Sequence, residues 1–162
     1  MDAHRFLTLA DQLLTGVRDS VPSTAGDGAP ECRCATSRAY YAAYNVAVEF
    51  LGRIGFETTN SHNCHHAVQF AFNQSGNASL RTVSANLNSL HSERKVADYE
   101  MRNTLSDTYP HANSIVELAR TPIGMIDAVA SDTSLWGEIA TAVLNYIDMS
   151  KTTALRRKSG SK

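Results

Sequence analysis

The sequence predicts an all-α protein, an antiparallel up-and-down bundle of five to seven helices. Apolar residues recur at steps of three and four along most of the chain, which is the spacing of an amphipathic helix. No segment alternates apolar and polar residues in the manner of a half-buried strand. Clusters of Pro and Gly separate the periodic stretches, as is typical of turns between helices.

The N-terminal third of the chain predicts two helices joined by a loop. An apolar stripe runs along residues 2–19, and Asp2 precedes it as a cap. Residues 21–30 contain two Pro and two Gly among small polar residues, which predicts a mobile loop. Residues 31–53 are rich in Ala and contain no helix breaker before Gly52, so we expect a long central helix there.

Two more helices are predicted in the middle of the chain. The third spans about residues 62–72, with Asn60 or Ser61 as its cap. A Gly-Asn pair at residues 76–77 marks the turn that follows. The fourth helix is predicted over residues 79–96 or further, because its leucine and valine residues keep a helical spacing.

The C-terminal third predicts shorter helices. Pro110 suits the first turn of a helix over residues 112–119, and Pro122 starts or kinks the segment that follows. Ser131 or Asp132 then caps a last helix.

One domain is expected over residues 1–150. The chain has 162 residues, of which 43% are hydrophobic and 19% charged, and these proportions match an ordinary globular domain. Residues 151–162 are basic and polar, so we expect a disordered tail there.

Net charge and composition constrain the partners and the compartment. Fifteen basic and sixteen acidic side chains give a net charge of −1, so any RNA binding must come from a local patch. No apolar run approaches the roughly 18 residues of a membrane span, and the N-terminal residues lack the features of a cleaved signal. We therefore expect a cytoplasmic protein that does not contact a membrane, with its three cysteines reduced.

Three short segments carry a resemblance to a known family. They are Ser-Arg-Ala-Tyr-Tyr-Ala-Ala-Tyr at residues 37–44, Ser61-His62 at a helix start, and Arg-Lys-Val-Ala-Asp-Tyr at residues 94–99. In this order the segments resemble the small prokaryotic branch of the HEPN superfamily. The resemblance covers about residues 6–99, whereas the last helices match only as amphipathic pattern.

The HEPN resemblance implies a function and a set of partners. Active members are homodimeric, metal-independent endoribonucleases, often toxins encoded beside a nucleotidyltransferase-like antitoxin, and others are thought only to bind. The resemblance therefore implies RNA, a second copy of the chain, and a nucleotidyltransferase-like antitoxin or defence-complex partner. No cofactor is expected.

One position departs from the ribonuclease pattern. Ribonuclease members carry a His a few residues after the motif Arg, whereas here Tyr99 stands five residues after Arg94. Metal-independent cleavage needs a base, an acid and positive charge near the phosphate, and Tyr, with a pKa of about 10, is a poor base at neutral pH. Two alternatives follow: an endoribonuclease or its degenerate relative, or a non-catalytic module that holds RNA, a nucleotide or a nucleotidyltransferase partner.

The candidate catalytic residues are Arg94, Asp98 and Tyr99. Arg94 would stabilise phosphate charge, Asp98 would orient Arg94 or carry a proton, and Tyr99 would contribute a hydroxyl. His91 or His62 is the substitute proton carrier. An Arg and an Asp four residues apart on a helix also commonly form a purely structural ion pair.

The candidate RNA-binding residues are Arg38, Tyr41, His62, His91 and Arg102. On a continuous helix Arg102 shares one face with Arg94, Asp98 and His91. Arg38 and Tyr41 are expected on one side of the second helix with Tyr44, where they would stack on bases or hold phosphates. Alternatively the tyrosines fill the core while Arg38 pairs with Asp98.

A zinc site is the competing hypothesis. Thiolate and imidazole groups of the types that zinc prefers occur at Cys32, Cys34, His62, Cys64, His65 and His66. The spacing is unfavourable, since two cysteines two residues apart on a helix point about 200° apart. We therefore expect no metal site, with the cysteines as small buried residues and the histidines at a helix start.

Overall fold

The computed structural model describes residues 2–19, 28–59, 61 and 63–158. Within these ranges the chain forms six α-helices and one two-stranded sheet, which confirms the predicted all-α helical bundle. None of the helices in these ranges is long and apolar enough to cross a membrane. Most of the predicted loop, together with Asn60 and His62, lies outside the described residues.

The helices account for most of the described chain. They are α1 (His4–Asp19), α2 (Ala29–Arg53), α3 (Cys64–Asn73), α4 (Ala78–Tyr99), α5 (Tyr109–Ser131) and α6 (Trp136–Ser150). Short 3₁₀ turns at Thr104–Asp107 and Thr133–Leu135 precede α5 and α6, and the strands are β1 (Phe56–Thr58) and β2 (Leu155–Arg157). The four helices predicted in the first two thirds of the chain are all present, with bounds shifted by a few residues.

Local chemistry explains where α1 and α2 begin. The Oδ1 atom of Asp2 accepts a hydrogen bond from the His4 amide at 3.0 Å, as the predicted cap should. Gly28 precedes α2 with a φ of +89°, and a Cβ there would lie 2.8 Å from the Val17 side chain, so glycine is required. Pro30 lies in the first turn of α2. A backbone N–H in that turn has no carbonyl partner within the helix, so the N–H that proline lacks costs no helical hydrogen bond.

The two ends of α4 determine which motif residues share the helix. The side-chain oxygen of Asn77 accepts a hydrogen bond from the Leu80 amide at 3.1 Å and so caps the helix. The helix ends at Tyr99, and Arg102 lies beyond its last turn. The prediction that Arg102 shares a helical face with Arg94 is therefore wrong. At the end of α4 the Ala97 carbonyl accepts a hydrogen bond from the Arg33 side chain, and not from the backbone of a further helical turn.

Pro122 does not divide the last third of the chain as expected. The helix α5 runs unbroken from Tyr109 to Ser131 and contains Pro122, where two segments were predicted. A proline inside a helix removes one backbone donor and crowds the preceding turn. Ala119 and Ile123, on either side of Pro122, are buried, so packing stabilises the helix through this position.

The basic C-terminal segment differs from the disordered tail predicted for residues 151–162. Strand β2 pairs antiparallel with β1, with Phe56 opposite Arg157 and Thr58 opposite Leu155. Leu155 is fully buried, and the Lys158 Nζ donates a hydrogen bond to the Gly52 carbonyl at 2.7 Å. Pairing across about a hundred residues, rather than local pattern, orders residues 151–158; residues 159–162 lie outside the described ranges.

Contacts divide the chain into two compact units. The first comprises Met1–Ala43 and Asn88–Thr121, and the second comprises Tyr44–Leu87 and Pro122–Lys162. The boundaries fall inside α2, α4 and α5, so each of these helices contributes residues to both units. The single domain expected over residues 1–150 thus contains two separate groups of contacts.

Each unit buries its own set of side chains. The first unit buries Tyr40 and many small or aliphatic residues, among them Leu7, Ala10, Leu14, Ala35, Ala39, Leu90, Ala112 and Val116. The second unit buries larger side chains, among them Phe50, Phe72, Leu51, Leu80, Leu87, Ile126 and Ile139. Arg38, Tyr41 and the 94–99 motif all belong to the first unit.

Candidate functional site

The first unit brings two of the three motif segments together. One face of α2 and the C-terminal end of α4 line a cleft of about 460 Å³, which we call the α2–α4 groove. Its polar lining includes Arg33, Cys34, Ser37, Arg38, Asp98 and Asp107. The α2 residues follow one another at helical spacing, so the same periodicity that forms the helix places them on one face.

Arg94 is held between two tyrosines at the edge of this groove. Its Nη2 atom donates a hydrogen bond to the Tyr41 hydroxyl at 2.9 Å and lies 3.4 Å from the Tyr99 hydroxyl. The guanidinium carbon lies 5.3 Å from the centroid of each ring, within the range of a cation–π contact. Arg94, one of the residues predicted as catalytic in α4, therefore contacts Tyr41, which was predicted to bind RNA from α2.

Asp98 pairs with Arg94 rather than with Arg38. An oxygen of the Asp98 carboxylate lies 2.7 Å from the Arg94 Nε, in an ion pair spaced four residues apart. The Nε–H nevertheless has no well-aligned acceptor, so this contact is an electrostatic attraction more than a directed hydrogen bond. The alternative in which Arg38 pairs with Asp98 is not found in the structure.

The environment of Arg94 keeps it cationic. Burial is the largest single influence and opposes the charge, but Tyr41, Asp98 and Tyr99 together outweigh it and raise the pKa of the Arg94 guanidinium above its ordinary value. The side chain is 15% exposed. Arg94 therefore supplies fixed positive charge, and not a base, at neutral pH.

Arg38 supplies the positive charge that remains uncompensated. Its guanidinium carbon lies 5.9 Å from the centroid of the Tyr41 ring, and the side chain lines the groove. Within the described residues, Arg33 pairs with Asp107 and Arg94 pairs with Asp98, whereas no carboxylate forms an ion pair with Arg38. Among the charged residues of this site Arg38 thus leaves one positive charge without a carboxylate partner, in a chain whose net charge is −1.

The other predicted residues lie in different environments. His91 is buried, and its ring stacks on Tyr40 with centroids 5.3 Å apart. Arg102 is exposed beyond α4, and His62 lies outside the described residues. Tyr44 is buried in the second unit, and its ring centroid lies 4.4 Å from that of His65. We therefore interpret Tyr44 as a packing residue.

A histidine that the sequence analysis did not select lies in the first unit. The His111 Nε2 atom is 2.9 Å from a carboxylate oxygen of Glu93, the residue before Arg94. No histidine lines the α2–α4 groove within the part of the chain that the structure describes. The groove thus presents the charged side chains of Arg38 and Asp98, with the phenol hydroxyls of Tyr41 and Tyr99 around the neighbouring Arg94, but not the imidazole that suits proton transfer at neutral pH.

The structure gives the competing zinc hypothesis no ligand set. Across the described ranges, no group of three or more His, Cys, Asp or Glu side chains is arranged to hold a metal ion. Cys32 is buried, and burial raises the pKa of its thiol, whereas Cys34 is exposed and lines the groove. His62, one of the proposed ligands, lies outside the described residues.

Arg33 is the principal residue that sequence reasoning missed. Its guanidinium contacts the ends of α4 and of the following turn across 63 to 74 positions of sequence. No local pattern marks an arginine that acts at such a separation.

Comparison with family models, with curated proteins and with solved structures yields no match to this chain. A functional interpretation therefore depends on the residues and geometry described above.

Proposed function

We propose that this chain is a HEPN-type RNA-acting protein that holds the phosphodiester backbone of RNA at the α2–α4 groove. One observation supports the proposal above all others. Two segments more than fifty positions apart in sequence place Arg38 and Arg94 around a single tyrosine ring, and Arg38 has no carboxylate partner among the described residues.

The groups in the groove and around the neighbouring Arg94 each suit one part of an RNA ligand. The planar Arg38 guanidinium would donate paired hydrogen bonds to a phosphate, which is the contact that arginine makes best. Tyr99 is 70% exposed and Met101 is 67% exposed, so both present apolar surface to an unstacked base. Arg94, already bonded to Tyr41, would add charge without moving.

RNA cleavage is the second candidate function. Its support is the position of the Tyr99 hydroxyl, 3.4 Å from a guanidinium whose charge is fixed. In such a reaction the 2′-oxygen forms a bond to phosphorus and loses its proton to a base, while the bond to the 5′-oxygen breaks and that oxygen gains a proton. Tyr99 would donate the proton to the 5′-oxygen. No histidine of the described groove is present to accept the proton of the 2′-hydroxyl, so we favour RNA binding over RNA cleavage.

Partners are proposed on the same surface. Tyr99, Met101 and Leu105 are all more than half exposed, and they follow one another at the end of α4 and in the next turn. A second copy of the chain or a nucleotidyltransferase-like protein would cover these apolar side chains in competition with an RNA base. Within this proposal the protein works in the cytoplasm, alongside its RNA.

Binding to a fluorescent single-stranded RNA over a range of salt concentrations tests the proposal. The Arg38→Gln variant should bind about tenfold more weakly and should lower the slope of log K against log salt by about one, the effect of one lost phosphate contact. Arg53→Gln is the matched control, because Arg53 is exposed and pairs with Glu49 in the second unit.

Two outcomes would count against this function. The binding proposal fails if the wild type does not bind RNA, or if both variants bind as the wild type does. A parallel incubation with EDTA, resolved on a denaturing gel, tests cleavage: products from the wild type but not from Arg94→Ala or Tyr99→Phe would place the second candidate first.

A further inference from the structure

Arg33 makes an unusual number of backbone contacts in the first unit. Its Nη1 donates to the Ala97 carbonyl at 2.9 Å, and its Nη2 donates to the Asn103 carbonyl at 2.7 Å. Both nitrogens also lie 3.4 Å from the Glu100 carbonyl, and the Nε donates to the Asp107 carboxylate. One side chain of α2 thus binds the last turn of α4, the turn after it and the last residue of the next 3₁₀ helix.

These contacts give a hydrogen-bond donor to backbone carbonyls that have none within the helix. The last four carbonyls of an α-helix have no intrahelical donor, and the C-terminal end attracts positive charge. Ala97 lies in that last turn of α4, and the Arg33 side chain is only 12% exposed. The buried guanidinium therefore acts as a cap supplied by another helix, and it ends α4 where the sequence alone suggested continuation.

We propose that Arg33 is a positioning residue for the RNA site, an inference that rests on the proposed function. Arg33 lies five residues before Arg38 on α2, and the carbonyls it binds surround Asp98 and Tyr99 on α4. By joining the two helices at this point, Arg33 sets the distance between Arg38 and the Arg94–Tyr99 pair. It does so without offering its own donors to RNA, since they are already occupied.

The Arg33→Lys variant separates this role from direct binding. Lysine keeps the charge but loses the planar fork that reaches several carbonyls at once. RNA affinity should fall at least about tenfold, the effect of one lost charge-assisted contact, while the slope of log K against log salt stays at the wild-type value. Arg120→Lys is the matched control, because Arg120 is also in the first unit and pairs with Asp11 and Glu117 at the surface.

A second measurement does not require RNA. The guanidinium carbon of Arg94 lies 5.3 Å from the centroids of two tyrosine rings, so the chemical shift of its Nε–H proton in an NMR spectrum should report their geometry. Arg33→Lys should move this resonance and Arg120→Lys should not. If the wild type fails to bind RNA, the proposed function is wrong, but the NMR measurement still tests the positioning role. An Arg94 resonance that does not move in Arg33→Lys would overturn that role, and a resonance that moves would support it.

Several results would contradict the proposal. A folded Arg33→Lys protein that binds RNA with wild-type affinity would contradict it. A slope of log K against log salt that is lowered by about one would also contradict it, because that change would mean that Arg33 itself contacts phosphate. Should Arg33→Lys fail to fold, Asp107→Asn keeps the carbonyl contacts and removes only the ion pair. It should produce a smaller loss of affinity in the same direction, and an unchanged affinity would overturn the proposal.

Discussion

The two units of this protein use their interiors differently. In the first unit, half-buried arginines bind carbonyls, carboxylates and phenol hydroxyls, as Arg33 and Arg94 show. In the second unit, aromatic rings meet one another, with Phe50 lying 6.1 Å from Phe72 and 6.4 Å from Trp136 between ring centroids. Packing of apolar surface stabilises without direction, whereas hydrogen bonds to a guanidinium fix geometry. The comparison predicts that the second unit contributes mainly stability, whereas the candidate site lies in the first unit.

The largest expected effect tests the second unit. Phe50→Ala should lower the free energy of unfolding by about 3 to 5 kcal/mol, because it removes a buried ring from an aromatic cluster. Urea unfolding measures this loss, and RNA affinity should stay at the wild-type value at a temperature where the variant remains folded. Met149→Ala, at a side chain that is 86% exposed, should change stability by less than about 0.5 kcal/mol.

A folded Phe50→Ala protein that loses RNA affinity as strongly as Arg38→Gln does would break the comparison. That result would show that the second unit contributes directly to binding.

A smaller effect is expected from the first unit. Tyr41→Phe keeps the ring beside Arg94 but removes the hydroxyl that accepts its hydrogen bond. We expect a loss of about 1 kcal/mol in stability and about fivefold in RNA affinity, because the guanidinium loses one fixed partner. Isothermal calorimetry and urea unfolding measure the two quantities.

Tyr146→Phe is the matched control for this change, since Tyr146 stacks on Phe70 in the second unit. Equal effects of the two tyrosine substitutions on RNA affinity would argue against a special role for the first unit.

A pH-dependent effect is expected from the buried thiol of Cys32. Burial, followed by Glu31 and Asp107, raises the pKa of this thiol above the ordinary value of 9.0. A thiol with a raised folded pKa keeps the native state fully stabilised below pH 9.0. Above that pH the unfolded chain ionises first, so stability falls by at most about 1.4 kcal/mol per pH unit.

Comparison of urea unfolding at pH 8 and pH 10 measures this dependence. Cys32→Ala should show a smaller loss of stability than the wild type over that interval, while Cys34→Ala, at an exposed thiol, should behave as the wild type does. The same loss in all three proteins would show that the Cys32 thiol is not protected in the folded state.

Much of the fold followed from local signals. The apolar periodicity predicted four helices within a few residues of their observed bounds, and Asp2 caps α1 as expected. Two predictions failed: Pro122 does not divide α5, because burial stabilises the helix there, and residues 151–158 are ordered, because β2 pairs with β1. Of the site, the motif residues that converge on the groove were predicted, whereas the burial of His91 against Tyr40 was not.

The sequence by itself determined the helical class, the helix positions and the residue types available to a binding site, because helix periodicity and capping act over only a few residues. The tertiary structure alone decided that Arg94 meets Tyr41, that Arg33 binds the end of α4, and that no carboxylate of the described residues pairs with Arg38. Partners separated by tens of residues are selected by how helices pack, and no local spacing encodes that selection.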